Sequence, residues 1–150
     1  MKKKSVFILF ALALACALVL AGCDNGTTSS SSSGPSLPAG AVSFLNNKGI
    51  PVFPPPEGLS IDPEWNDVIP TEGFEIGYKD GNEDLFDAYI DKVTSILGAT
   101  NLTDDDDTSD RHIVKFSRSG VDIMFAFSKG SIFQVHSDTV PENMILIQAF

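Results

Sequence analysis

The sequence predicts an α+β fold, an antiparallel sheet of about 4–5 strands with one amphipathic helix packed on one face. Two observations predict it. A stretch that alternates apolar and polar residues is followed by a helix-length stretch whose apolar residues recur every three or four positions. Further alternating stretches separated by glycine turns come after the helix. This order of elements is typical of a sheet that buries one face under a helix.

The size and charge of the chain limit its function. It has 150 residues, enough for one domain of ordinary size. It carries 10 basic and 20 acidic residues, for a formal net charge of −10. Because nucleic-acid binding needs clustered Lys and Arg, this charge argues against a nucleic-acid partner. Two cysteines are too few for a disulfide-rich scaffold or for a zinc site with four cysteine ligands.

The beginning of the chain has the layout of an export signal. Lysines at positions 2–4 precede an apolar run over 6–21 that is too short to span a bilayer. The run ends in Leu20-Ala21-Gly22-Cys23, which resembles the lipobox of bacterial lipoproteins. In that family signal peptidase II cuts before the cysteine, and the cysteine sulfur carries a diacylglycerol.

The resemblance implies roles for four residues and an address for the protein. Leu20, Ala21 and Gly22 are the expected recognition residues for the signal peptidase, and Cys23 is the expected lipidation site. We expect a signal peptide over 1–22 and a domain outside the cytoplasm, lipid-anchored to the inner or outer membrane of a bacterial envelope. Two or three acyl chains give stable anchoring. Removal of the signal leaves seven basic residues against 20 acidic ones, a formal charge of −13.

A tether and a single domain are expected after the lipidated cysteine. Residues 23–40 are rich in Ser, Thr, Gly and Pro and predict a flexible tether. The domain is expected over 41–150, and its proline-rich first part, 41–72, predicts an extended segment with one or two short strands. We expect Phe53 and Trp65 to pin this segment to the domain. Alternatively the segment is a docking peptide, and the same two side chains contact a partner.

The next two elements have clear local patterns. Phe74, Ile76 and Tyr78 alternate with polar or small residues and predict a strand. Asn82 is the expected N-cap of a helix that ends at Gly98. The apolar stripe of this helix is Phe86, Tyr89, Ile90, Val93, Ile96 and Leu97.

The rest of the chain predicts a polar loop and then strands. The loop is expected over 100–110, and a two-residue turn at Ser119-Gly120 joins the next two strands. A three-residue turn over 128–130 is expected to begin a hairpin that brings Phe133 to the core face. The apolar stretch 144–150 predicts the last strand.

Candidate catalytic groups are sparse. The predicted pairing puts Ser117, Asp122 and His136 in a row on the solvent face. A hydrolytic triad needs the histidine between the other two, so this row favours a cross-strand ion pair instead. His112 is expected at the rim of the core side. Two histidines on opposite faces cannot share a metal ion, and we predict no metal site and no cofactor.

An acidic run at 104–107 consists of four consecutive aspartates and is a candidate for Ca²⁺. An EF-hand loop that begins at Asp104 needs Gly at its sixth position and Glu at its twelfth, where this chain has Ser109 and Lys115. The pattern therefore favours a solvated acidic loop.

The sequence as a whole predicts a non-catalytic, lipid-anchored binding domain for a protein or another envelope component. A strongly negative charge favours cationic partners, and one version is an inhibitor of a basic enzyme such as lysozyme. The alternative is a small hydrolase or small-ligand carrier whose pocket lies between 41–72 and the sheet, near Trp65.

Overall fold

The predicted fold class is confirmed by a computed structural model, which describes residues 36–130 and 133–150. A six-stranded antiparallel sheet in the order β1-β2-β8-β5-β4-β3 lies beside a two-stranded sheet of β6 and β7. The strand count is slightly higher than predicted. The elements are α1 (Ala39–Asn47), β1 (Ser60–Ile69), β2 (Gly73–Lys79), α2 (Glu83–Leu97), β3 (Leu102–Asp107), β4 (Arg111–Arg118), β5 (Val121–Ser128), β6 (Gln134–Val135), β7 (Asp138–Thr139) and β8 (Ile145–Ala149).

The elements with the clearest local patterns lie where they were predicted. Strand β2 buries Phe74, Ile76 and Tyr78. Helix α2 begins after Asn82, whose side-chain oxygen accepts a hydrogen bond from the backbone N–H of Leu85 at 2.9 Å. Such a cap pairs one of the N–H groups that a helix start leaves without an intrahelical partner.

Two turns also follow the prediction. Helix α2 ends at Gly98, whose φ of 89° lies in the region that favours glycine. Strands β4 and β5 are joined at Ser119-Gly120, and Arg118 pairs with Val121 across this turn. Both turns depend on residues close together in the sequence, and this is why local chemistry predicts them.

Strand β8 lies in the middle of the large sheet. It pairs with β2 on one side and with β5 on the other, and all five of its residues are buried. The predicted terminal strand is confirmed. Strand β8 therefore joins the β1–β2 hairpin to the β3–β4–β5 meander. The hairpin and the meander do not pair with each other directly.

Each face of the sheet carries an apolar cluster. The larger cluster lies under the two helices, with α1 packed on β1 and β2 and with α2 packed on β4 and β5. We expected the other face to meet solvent, but part of it is buried under side chains from the segment 133–140. The buried residues of this second cluster are Trp65, Ile113, Ala126, Phe133, Val140, Met144 and Leu146.

The prediction for 41–72 was only partly right. The polyproline stretch at 54–56 belongs to no helix or strand, but Ala39–Asn47 forms helix α1, and β1 is a ten-residue strand. Leu37 is already buried, so the fold begins before the predicted end of the tether at residue 40. Helix α1 was not predicted, because its burial depends on packing against β1 and β2 and not on a long amphipathic pattern.

An irregularity in β1 sets the position of Trp65. The pairing with β2 shifts register between Ile61 and Asn66, and the extra residues form a bulge. The carboxylate of Asp62 accepts the backbone N–H of Glu64 at 2.9 Å within this bulge. The bulge brings Trp65 over the backbone of β2 on the second apolar face.

The predicted loop over 100–110 is wrong in its central part, because Leu102–Asp107 forms the edge strand β3. It pairs with β4, with Asp107 opposite His112. Four consecutive aspartates show no apolar alternation, so propensity and pattern both argued against a strand. The strand forms because β4 supplies the backbone partners and most of the basic side chains described below.

The predicted hairpin after 128–130 is also wrong. Strand β5 pairs with β8 rather than with the following segment, and that segment folds back on itself as the β6–β7 hairpin. Phe133 is buried as expected, but against the second face of the sheet. Within 36–130 and 133–150, no helix is both long and apolar enough to cross a membrane.

Candidate binding site

The lipobox lies outside the described residues. Leu20, Ala21, Gly22 and Cys23 therefore keep the roles expected from the sequence. The signal peptide over 1–22 and most of the tether lie outside as well.

The two apolar side chains proposed for interaction are buried. Phe53 is 1% exposed, and its ring centroid lies 5.4 Å from that of Phe125 in the larger cluster. Trp65 is 9% exposed in the second cluster. In this conformation neither ring offers much surface to a partner, and neither lines the two cavities described below.

The row of Ser117, Asp122 and His136 does not form. Ser117 pairs with Asp122 as predicted, but the other neighbour of Asp122 is Phe150, with which it exchanges two backbone hydrogen bonds. His136 lies in the turn between β6 and β7. The predicted cross-strand pair of Asp122 and His136 is therefore wrong.

The acidic run in β3 is largely paired within the fold. Three of its aspartates meet a Lys or Arg side chain and one meets a histidine; three of these partners come from β4 and one is the residue after β5. The pairs are Asp104–Lys115 at 3.0 Å, Asp105–His112 at 2.9 Å, Asp106–Arg111 at 3.1 Å and Asp107–Lys129 at 2.5 Å. Three of the four aspartates therefore already have a cationic partner within the fold.

One part of this network has the donor set of a metal site. Ligand atoms of Glu83, Asp107 and His112 lie within 4.8 Å of one another. The ammonium group of Lys129 contacts both carboxylates, each at 2.5 Å. Its hydrogen bond to Asp107 lowers the pKa of that carboxyl group and raises the pKa of Lys129. The lysine thus supplies the positive charge that a metal ion would bring.

His112 joins helix α2 to the edge strand. Its Nε2 lies 2.9 Å from Asp105, its Nδ1 lies 3.3 Å from Asp87 of α2, and its ring packs against Phe86. This is the core-side rim position predicted from the sequence. The contacts are structural, since they tie the sheet edge to the helix.

A groove on the second face is the best candidate for binding. Its volume is about 230 Å³, and it lies at the end of the β1–β2 hairpin beside the last residues of the chain. Its lining combines carboxylates with apolar and aromatic groups. The lining residues are Asp67, Ile69, Glu72, Gly73, Phe74, Glu75, His136 and Phe150.

The carboxylate of Glu75 is held in place by a buried side-chain amide. Gln148 of β8 is 3% exposed, and its side-chain amide donates a hydrogen bond to Glu75 Oε2. The same oxygen lies 4.0 Å from Nε2 of His136. The Glu75 side chain is 20% exposed, so it is half-buried but still open to the groove. A partly buried carboxylate interacts more strongly with a cation than one in bulk water.

The acids of this groove differ from the acidic run in their partners. Across the described part of the chain, Asp67, Glu72 and Glu75 have no Lys or Arg nitrogen within 4.0 Å. By contrast, five of the seven basic residues beyond the signal pair with acids elsewhere: Lys79, Lys92, Arg111, Lys115 and Lys129. The fold thus uses most of its cations away from the groove and leaves the groove negative.

Sequence reasoning did not find this groove. The alternation in β2 placed Glu75 on the face opposite Phe74, but the strand that brings Gln148 beneath it is distant in the sequence. One signal was present. A glutamine inside the otherwise apolar strand Ile145–Ala149 needs a polar partner on a buried face.

A second cavity, of about 180 Å³, lies between the proline segment and α2. Its lining residues are Pro55, Pro56, Glu57, Leu85, Ala88, Tyr89 and Lys92. Two contacts bridge the same elements: the Tyr89 hydroxyl donates to the carbonyl of Pro54 at 3.0 Å, and Lys92 pairs with Glu57 at 2.6 Å. This cavity belongs to a joint between two packed elements and has no excess charge of one sign.

No family model, no curated protein and no solved structure matches this chain.

Proposed function

We propose that this protein is a lipid-anchored bacterial envelope lipoprotein whose domain is a non-catalytic binding module for a cationic protein. The lipobox resemblance at Leu20–Cys23 supports the anchor, and the Ser- and Thr-rich segment behind it supports a tether. The formal charge of −13 after removal of the signal supports the choice of partner, because opposite charge raises association rates and selects partners.

One observation carries the binding part of the proposal. Three aspartates of the acidic run at 104–107 pair with Lys or Arg, whereas the groove acids Asp67, Glu72 and Glu75 have no Lys or Arg partner among the described residues. Carboxylates that the fold leaves without a counter-charge beside an accessible cavity are available to a partner. The groove also offers exposed apolar surface, with Phe150 57% exposed and Ile69 43% exposed.

The anchor is tested with the natural protein in its bacterial host. Radiolabelled palmitate is expected to label the wild type and to leave Cys23→Ala unlabelled, and mass spectrometry is expected to find residues 1–22 removed. An intact N-terminus, or a Cys23 sulfur without lipid, contradicts the anchor.

The binding part is tested with the purified lipoprotein in micelles of an uncharged detergent. Lysozyme serves as a basic protein probe, and an acidic protein of similar size serves as the control. We expect binding of the basic probe at low salt that weakens strongly between about 0.05 and 0.3 M salt, because screening shortens the range of charge attraction. Equal binding of both probes, or no dependence on salt, contradicts the proposal.

A further inference from the structure

We propose that the groove lined by Asp67, Glu75 and Phe150 receives an arginine side chain of the cationic partner. This inference rests on the proposed function and adds the recognition site and the group recognised. It commits to one occupant because charge, shape and surface chemistry in the groove agree on it.

The charge of the groove selects a cation. Asp67 and Glu75 are opposite each other on neighbouring strands, so their side chains leave the same face of the sheet. Glu72 lies in the turn that joins these strands. Like charges placed this way are unfavourable unless a cation lies between them, and an incoming cation relieves that repulsion.

The buried amide of Gln148 fixes one of these acids in advance. Its hydrogen bond to Glu75 Oε2 orients the carboxylate before any partner arrives. The other oxygen, Oε1, has no hydrogen bond from the described residues. A preorganised acceptor costs less ordering entropy when the partner binds.

The aromatic wall favours arginine over lysine. Phe150 is 57% exposed, and its ring lies nearly perpendicular to that of His136, with centroids 6.1 Å apart. A planar guanidinium group stacks on an aromatic ring and also donates two parallel hydrogen bonds to a carboxylate. An ammonium group is a compact point charge and cannot do both with the same geometry.

The size of the groove fits one side chain. Pockets for drug-sized ligands usually hold about 300–1,000 Å³. The groove holds about 230 Å³ and opens to solvent along one side. It therefore suits a single long side chain that projects from a larger partner, with the backbone of that partner remaining outside.

The experiment uses the full lipoprotein in uncharged detergent micelles and two blocked peptides, Gly-Gly-Arg-Gly-Gly and the same peptide with citrulline. Citrulline keeps the shape of arginine and removes its charge. Chemical shifts of the groove residues are followed by NMR during each titration. We expect the arginine peptide to shift the signals of Glu75 and Phe150 and to bind at least about fivefold more tightly than the citrulline peptide.

Two groove variants and one matched control complete the test. Asp67→Asn and Glu75→Gln each remove one groove charge, and we expect each to weaken the arginine peptide about threefold to tenfold. Asp91→Asn removes the same charge from an exposed position on α2, on the other side of the sheet, and is expected to change binding less than twofold. Urea unfolding of each variant checks that the fold is retained.

The outcomes separate this inference from the proposed function. If lysozyme binds in a salt-dependent way but the groove variants behave like Asp91→Asn, the assignment of the groove as the arginine site is wrong and the proposed function stands. Equal affinity for the arginine and citrulline peptides also overturns the groove. If the wild type binds neither lysozyme nor the arginine peptide, the proposed function itself fails.

Discussion

The ammonium group of Lys129 lies 2.5 Å from the carboxylate of Asp107 and so ties the residue after β5 to the outermost strand of the sheet. Lys129 contacts Glu83 at the start of α2 as well. One lysine therefore holds together an edge strand, a helix start and a loop. This makes it the most informative position for testing how the acidic edge is stabilised.

The ion pair predicts an acid-dependent loss of stability. The pKa of Asp107 is lowered in the folded state, so its contribution is fully present above the ordinary value of about 3.9 and disappears as pH falls through the lowered value. We expect Asp107→Asn to lower the urea midpoint at pH 7, and we expect its difference from the wild type to shrink as pH falls through the lowered pKa. Asp91→Asn, which removes an exposed acid that forms no ion pair with the described residues, is the control. A difference that persists unchanged in acid contradicts the assignment.

The same ion pair predicts a loss of folding stability at alkaline pH. The pKa of Lys129 is raised by Asp107 and Glu83, so its contribution is present below its ordinary value of about 10.4 and is lost as pH rises through the raised value. Lys129→Met leaves two carboxylates facing one position and is expected to destabilise at pH 7 more than Lys48→Met, which breaks no ion pair among residues 36–130 and 133–150. Urea midpoints of the two variants compare them directly. Equal midpoints would show that the Lys129 network contributes nothing.

Any side chain at Gly77 is expected to destabilise the fold. A Cβ at this position would lie 2.7 Å from Cβ of Trp65 and 2.7 Å from Sδ of Met144. We expect Gly77→Ala to lower the free energy of unfolding by about 1–3 kcal/mol through overpacking. Gly130→Ala is the matched control, because the nearest atom of the described residues beyond its chain neighbours, Oδ1 of Asp110, would be 3.7 Å from the added Cβ. Urea unfolding followed by circular dichroism measures both, and equal stability would contradict the close approach.

The cap of α2 predicts a smaller effect. Replacing Asn82 by Ala removes the acceptor for the Leu85 N–H and is expected to cost about 1 kcal/mol. Asn82→Asp keeps an acceptor at the same place and is expected to retain most of the stability. Thermal unfolding distinguishes the two variants, and an alanine variant as stable as the aspartate variant would argue against the cap.

The burial of the second face by Phe133 can be tested through the fluorescence of Trp65. Trp65 is the one tryptophan of the chain and lies in the same cluster as Phe133. We expect Phe133→Ala to destabilise by about 3–4 kcal/mol and to shift the tryptophan emission to longer wavelength. Val52→Ala, at an exposed apolar position, is expected to change neither. An unshifted emission would mean that Phe133 does not shield Trp65.

Local chemistry predicted the parts of the fold that depend on neighbours in the chain. The cap at Asn82, the end at Gly98 and the turn at Ser119-Gly120 each need only a few adjacent residues. Strand β3 was not predicted, because its aspartates pair with side chains of β4 and with Lys129, and the local sequence does not show these partners. The groove was not predicted for a related reason, since Glu75 and Gln148 come together only through the pairing of β2 with β8.

The hairpin predicted after β5 shows where side-chain parity fails. Phe133 is buried as expected, but on the second face of the sheet and not on the face of Phe125 that parity predicted. Parity did not predict which strand lies beside β5, because β8 competes for the same edge and is buried along its whole length. Strand order is a global property, and alternation within one segment does not determine it.

The central place of β8 has a consequence during biosynthesis. While the ribosome is still making residues 145–149, the hairpin of β1 and β2 and the meander of β3, β4 and β5 have no strand to join them. The hairpin and the meander therefore cannot form one continuous sheet before residues 145–149 have been translated. A premature stop codon at Met144 is expected to yield a polypeptide that proteases degrade rapidly, even though five of the six strands of the large sheet are encoded intact.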